Sequence, residues 1–176
     1  IEGGIVSFKD KSIYDNIESL VNFGFKGPEE VQFISTNARM NEFEAAMGIC
    51  NLRHIDAEMA RRKAAADRYC ENLSGVPGIK MISPQPGISS NYAYFPVFFD
   101  GYKYDRNEIQ EKLKQENILA RKYFYPIIPD LMCYKDRYAG SNYPVSRHAA
   151  ETVLALPMFA DLAPEDVDRI CKIILD

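Results

Sequence analysis

The stretch from Asn41 to about Leu73 reads as one long helix, and no other feature of the sequence constrains the fold as much. Asn41 and Glu44 form an N-x-x-E pattern close to a capping box, which marks the start, and the turn signal Ser74-Gly75-Val76-Pro77-Gly78 marks the end. The two halves of this helix call for different surroundings. From Phe43 to Leu52 the apolar residues Phe43, Ala45, Ala46, Met47, Ile49, Cys50 and Leu52 cover most of the circumference, so this half has to be enclosed. From Ile55 to Leu73 they narrow to one stripe: Ile55, Met59, Ala66, Tyr69, Cys70 and Leu73. A helix of this kind passes from a large core or subunit contact into a smaller domain, and its apolar start needs a partner surface.

The remaining pattern supplies that smaller domain. "GGIVSF" (residues 3–8) reads as a short strand, and Ile13, Ile17, Leu20 and Val21 have helical spacing, with Gly24 as a stop. Residues 25–36 show no period and read as an extended loop. After the long helix, "IKMIS" (79–83) and "YAYFPVFFD" (92–100) read as strands, and residues 105–117 as a helix capped by Asp105 and Glu108 with Ile109 and Leu113 facing inward. "ILARKYFY" (118–125) is a third strand candidate, and residues 127–143 are loop-rich. Pro144 opens a helix that runs to about Leu154, "LPMF" (156–159) is extended, and Pro164 opens a last helix with Val167, Ile170, Cys171 and Ile174 on one face. The sum is a small α+β unit: a short, mainly antiparallel sheet backed by helices.

Composition excludes more than it selects. A net charge of -4 over 176 residues gives no basic excess to displace counterions from a nucleic acid. No apolar run approaches a membrane span, and no signal peptide is visible. The chain starts at Ile1 without an initiator Met and in mid-pattern, which implies that the true N-terminus lies upstream. Cys50, Cys70, Cys133 and Cys171 lack metal-ligand spacing, and three of them fall on or near apolar helical positions. They are expected to be reduced core thiols of a cytoplasmic protein. No metal site is expected, and His54 and His148 are too far apart in sequence to suggest a shared ligand set.

Two short stretches carry chemistry. Asn37 offers amide donors and Arg39 a planar cation, both ahead of a helix whose free N–H groups and dipole favour an anion. The alternative is a turn shaped by Asn37 with Arg39 paired to a surface carboxylate. In "ARKYFYP" (120–126), strand alternation puts Arg121, Tyr123 and Tyr125 on one face and Lys122 and Phe124 on the other. Such a face suits a sugar or a phosphate, or it is simply solvated. "RRK" (61–63), flanked by Glu58 and Asp67, reads as a solvated helix face.

Five segments, "EGGIVSF", "STNARMNEFEAAMGICNL", "NYAYFPVFF", "ILARKYFYPII" and "ETVLALPMFADLAPEDVDRI", occur in an order and spacing that resemble the C-terminal portion of the DegT/DnrJ/EryC1/StrS family of pyridoxal-phosphate-dependent sugar aminotransferases. The wording of "NYAYFP" and "RKYFYP" is most similar to members that aminate the 4-keto group of nucleotide-linked 6-deoxy sugars. The resemblance implies an α/β parent of the aminotransferase type I fold. Residues 1–40 would be the tail of its large cofactor-binding domain, 41–74 a connecting interface helix, and 75–176 the small α+β domain.

The resemblance also implies roles. Asn37 would reach across a homodimer interface to the cofactor phosphate of the neighbouring subunit, with Arg39 facing the same phosphate or the substrate entrance. Tyr125 would line the substrate side, and Arg121 would serve the nucleotide phosphates. The amino donor would be glutamate and the acceptor a nucleotide-linked keto sugar. The lysine that carries pyridoxal phosphate would lie a few residues before the Glu2-Gly3-Gly4 turn, upstream of Ile1. The chain as given is therefore expected not to transaminate by itself. The alternative within the family is a non-catalytic, dimerising or regulatory relative without that lysine.

Overall fold

The computed structural model describes residues 2–83 and 85–176, which form two compact units that divide at Ile55/Asp56. In the first unit a single 3-10 turn, Lys11–Ile13, leads into α1 (Tyr14–Val21). Asp10 accepts a hydrogen bond from the Ser12 N–H at 2.8 Å and caps that turn. Gly24 ends the helical stretch with φ +81°, and a Cβ there would lie 1.9 Å from the Phe33 carbonyl oxygen, so only glycine fits. Residues 25–36 form a loop without helix or regular strand, as the missing period implies, but it bends back on itself at residues 26–29, with one antiparallel bridge between Phe25 and Val31. No strand forms at residues 3–8. Ile5 and Val6 are exposed, and these residues have no pairing partner among the described residues.

The long helix is two helices. α2 spans Glu42–Leu52 and α3 spans Ile55–Leu73. Asn41 caps α2 through a complete capping box: its side chain accepts from Glu44 N at 3.0 Å, and Glu44 Oε2 accepts from Asn41 N at 3.0 Å. The break follows from a change in hydrogen-bond step. Arg53 N–H donates to the Cys50 carbonyl and His54 N–H to the Asn51 carbonyl, the tighter i to i+3 pattern that ends α-helices. α2 buries none of its side chains.

In the second unit, α3 buries Ala65, Ala66, Tyr69 and Leu73 against a three-stranded antiparallel sheet. The order is β1 (Ile79–Met81), β2 (Phe95–Phe99), β3 (Val153–Leu156). Register pairs Phe95 with Leu156 and Val97 with Leu154, which puts all four on one face with Phe99. α4 (Arg106–Gln115) and α6 (Pro164–Leu175) close that face with Ile109, Leu113, Val167, Ile170, Cys171 and Ile174. Tyr69 stacks on Phe95 at 4.7 Å and donates its hydroxyl to the Pro157 carbonyl at 3.0 Å; burial pushes its phenol far above the ordinary range. Pro96 sits in the central strand without cost: it lies beyond the end of β1 and opposite Ala155, whose own backbone groups turn to Arg121.

Two further expectations are corrected. α5 spans Pro144–Thr152, and the chain from Val153 is strand, not helix. Thr152 Oγ1 donates back to the His148 carbonyl at 2.8 Å, and β-branched Val153 then pairs with Phe98 of β2. Residues 118–125 do not form a strand either. Only Arg121 pairs, with Ala155, before Tyr123 N–H and Tyr125 N–H turn back to the Arg121 and Lys122 carbonyls. Of the cysteines only Cys171 is buried, with burial raising its thiol to about 11; Cys50, Cys70 and Cys133 are exposed. The charged face of α3 is as read: Arg62 pairs with Glu58 and Lys63 with Asp67.

The core and the α3–α6 contact each give a test. Leu113→Ala removes a fully buried side chain and is expected to cost about 3 kcal/mol of unfolding free energy in urea. Asp168 of α6 accepts from Arg68 Nε (2.7 Å), Arg68 Nη2 (2.8 Å) and Asn72 Nδ2 (2.7 Å), which lowers its carboxyl to about 2. A carboxyl depressed in the folded state stabilises fully above its unfolded pKa of about 3.9 and loses that contribution as pH falls toward 2. Asp168→Asn should therefore lower the urea midpoint at pH 7, and the gap to the native chain should shrink between about pH 5 and pH 2.5. A gap that stays constant over that range would disprove the assignment.

Candidate functional site

In the first unit Asn37 and Arg39 are brought together. Asn37 Oδ1 accepts from Arg39 N at 3.3 Å and from Arg39 Nε at 3.2 Å, and the Arg39 guanidinium lies 5.7 Å over the Phe23 ring. The backbone at Asn37 is fixed by a bridge to Asn22, and Ala38 N–H donates to the Val21 carbonyl at 2.9 Å. This leaves Asn37 Nδ2 and both terminal nitrogens of Arg39 without a partner among the described residues, on an exposed surface. Amide and guanidinium donors held side by side, with no carboxylate paired to the cation, match an oxyanion. Arg39 is thus not paired to a surface carboxylate.

The physical reason differs from the one read in sequence. The N-terminus of α2 is already served by the Asn41–Glu44 capping box, and Glu42 and Glu44 place two carboxylates in its first turn. The helix end therefore offers little to an anion; the donors are the two side chains. Their proximity comes from the Asx-type turn in which Asn37 holds Arg39.

In the second unit Arg121 and Tyr123 come together, as the alternation predicts, but Tyr125 does not join them. Arg121 Nη1 donates to the Tyr123 hydroxyl, and its guanidinium lies 5.6 Å over that ring. The pair lines a cavity of about 200 Å³ with Tyr94, Leu156 and Pro157. Tyr125 instead meets two other cations, Arg106 at 5.0 Å and Lys122 at 5.9 Å from its ring centroid. Lys122 thus shares a side with Tyr125, and Phe124 stacks on Tyr123 at 4.8 Å. The alternation expected of a strand fails because the chain turns after Arg121.

The outer face of the sheet carries a larger feature that sequence reading missed. Pro96 and Phe98 of β2 with Val153 and Ala155 of β3 floor an open pocket of about 720 Å³, walled by Phe124, Tyr138 and Tyr143. Arg147 of α5 reaches the Asp130 carboxylate with both terminal nitrogens, one at 3.1 Å, and so ties the 3-10 turn Ile128–Asp130 to the pocket rim. Only the alternation of "FPVFF", apolar on both faces, signalled a second covered side. Among the described residues no group of three or more His, Cys, Asp or Glu side chains is placed to hold a metal, and no helix is long and apolar enough to cross a membrane.

Solved aminotransferases share this fold. The crystal structure of DesI in the presence of its TDP-sugar product superposes with a TM-score of 0.82 at 28% identity, over 94% of this chain and 42% of that one. The model of the DegT/DnrJ/EryC1/StrS aminotransferase family matches residues 1–175, and the chain belongs to that family. It is 37% identical over 177 residues to the dTDP-4-amino-4,6-dideoxy-D-glucose transaminase of Escherichia coli, covering 99% of this chain and 48% of the relative. A transaminase of the same name from Shigella dysenteriae is 33% identical over 98% of this chain and 47% of its own length. The chain thus spans about half the length of the curated relatives it matches.

Proposed function

We propose that this chain is the C-terminal part of a pyridoxal-phosphate-dependent aminotransferase that moves an amino group from glutamate to the 4-keto group of a nucleotide-linked 6-deoxy sugar. In this reading the parent is a cytoplasmic homodimer with the aminotransferase type I fold. Residues 1–40 complete its large domain, 41–74 form the interface and connection, and 75–176 are the small domain. The observation that carries the proposal is the Asn37–Arg39 donor pair, held by its own hydrogen bonds and without a carboxylate partner, inside a sequence that matches the family from end to end.

The residues present fit a cofactor phosphate. Asn37 would donate through Nδ2 and Arg39 through its terminal nitrogens, with Phe23 under the guanidinium holding its plane. Pyridoxal phosphate, when bound, supplies the electron sink that lets an amino acid lose its α-proton. The chain's own share is to bind and orient. Asn37 and Arg39 anchor the phosphate, Arg121 and Tyr125 face the sugar nucleotide, and α2 presents Phe43, 83% exposed, and Leu52 as apolar contacts for the neighbouring subunit. The lysine that carries the cofactor is proposed to precede Ile1.

A protein extended upstream of Ile1 tests this. It should sediment as a dimer, absorb near the pyridoxal-phosphate band, and convert a dTDP-linked 4-keto-6-deoxy sugar with glutamate, read by mass spectrometry. Asn37→Ala should weaken the cofactor about tenfold, the value of one charge-assisted hydrogen bond. An extended dimer that neither binds pyridoxal phosphate nor aminates the sugar would favour the non-catalytic relative and sink the proposal.

A further inference from the structure

Two cations of the second unit share one neutral oxygen and have no carboxylate of their own. Arg106 Nε and Lys122 Nζ both donate to Asn107 Oδ1, at 3.1 and 2.6 Å. Arg106 is 3% exposed, and its Nη1 is used by the carbonyls of Ala150 and Val153 at 3.0 and 3.3 Å. Its Nη2 has no protein partner among the described residues. That nitrogen is also not sealed from solvent: Ser19 Oγ, in the other unit, is the one such sealed and unpartnered side-chain atom among them. A buried guanidinium therefore keeps one donor edge open.

The groups beside it point the same way. Lys122 is half-buried and uses one of its three N–H bonds on Asn107, and the Tyr125 hydroxyl has no hydrogen-bond partner among the described residues. Tyr125 is 53% exposed, so the mouth is accessible. The carboxylates whose charge reaches the pair are Asp105 and Glu151, and neither forms an ion pair with Arg106 or Lys122. Asp105 is already engaged as the cap of α4, accepting from Asn107 N at 2.7 Å and Glu108 N at 2.9 Å. Burial lowers the affinity of both cations for their protons, and at Lys122 the Arg106 charge adds to it. Two partly desolvated like charges without an ion-pair partner favour a counter-charge brought from outside.

We propose that Arg106, Lys122 and Tyr125 form a binding site for a phosphate-class oxyanion. A guanidinium edge, an ammonium and a phenol hydroxyl supply donors of three different geometries around a doubly positive spot, which suits a tetrahedral dianion better than a planar monoanion. The site shares Tyr125 with the substrate side proposed above. It rests on Arg106 and Lys122, however, and its test reads binding without cofactor or turnover, so either proposal can fail without the other.

The test is calorimetric titration of the 176-residue chain with inorganic pyrophosphate, against sodium chloride at matched ionic strength. The native chain should bind pyrophosphate. Lys122→Met should weaken it about tenfold, the loss of one charge-assisted contact. Lys172→Met, an exposed lysine in the last turn of α6 that neither proposed site uses, should leave the binding in place. Circular dichroism of each variant checks folding; Tyr125→Phe, which removes one hydroxyl from an exposed ring, should weaken binding with little risk to the fold. Thymidine diphosphate as a second titrant separates the sources: tighter binding than pyrophosphate assigns the site to a nucleotide's phosphates, and equal binding assigns it to a free anion. Absence of binding in the native chain, or binding unchanged in Lys122→Met, would overturn the proposal.

Discussion

The joint made by Arg106 governs the second unit. Its side chain leaves the first turn of α4 and donates to the Ala150 and Val153 carbonyls, where α5 stops and β3 begins. Carbonyls at a helix end need donors, and a cation there also opposes the negative end of the dipole. With those carbonyls satisfied, the chain leaves α5 in extended form, so Leu154 and Leu156 reach the core while Val153 and Ala155 turn outward. The same strand then offers Ala155 to Arg121. A helix end, a sheet edge and the turn that displays Tyr123 and Tyr125 thus depend on one buried guanidinium, whose neighbour Asn107 is itself fixed by the Asp105 cap.

That arrangement divides the sheet into unlike faces. The inner face is filled by α3, α4 and α6 and closed by Tyr69 on Phe95. Over the outer face lie α5 and the segment after Arg121, and it stays partly open. Aromatic and proline side chains line that opening, and rings with few rotamers lose little entropy when a ligand or another surface settles on them. The polar groups beside it, Arg121 with Tyr123 and Lys122 with Asn107, are held by hydrogen bonds to one another. They are set in place before any ligand arrives.

What could be read from the residues was whatever local chemistry decides. The Asp105–Glu108 and Asn41–Glu44 caps, the proline starts of α5 and α6, the stop at Gly24 and the buried face of α6 all follow from side chains within a few positions of one another. The errors came where a distant partner decides. Val153–Leu156 is strand because β2 lies beside it, and Leu154 has helical spacing from Ala150 all the same. "ILARKYFY" has strand composition, yet after Arg121 its backbone bonds to itself. The break at Arg53–His54 was hidden because every residue from Glu42 to Leu73 is compatible with helix, and a two-residue change in hydrogen-bond step leaves no compositional mark. Asn37 and Arg39 are legible by their donors, whereas Arg106 is not, because one arginine at a helix start resembles any other.

The first unit poses the sharper physical problem. Up to Ile55, Ser19 and Gly24 are the residues it buries among those described, so its apolar side chains find no core within the unit. Segments of this size hold together only when most of their apolar surface is covered. α2 makes the deficit explicit: its apolar residues surround the helix and none is buried. A helix that is apolar all round cannot be satisfied by docking one face, as an amphipathic helix is; it needs contacts on several sides at once. The proposed parent supplies two, its own large domain and a second subunit. The Asn37–Arg39 corner precedes α2 by only a few residues, so whatever encloses the helix also brings another surface to those donors. In that arrangement the apolar demand of α2 and the unpaired donors of Asn37 and Arg39 are met by the same act of assembly.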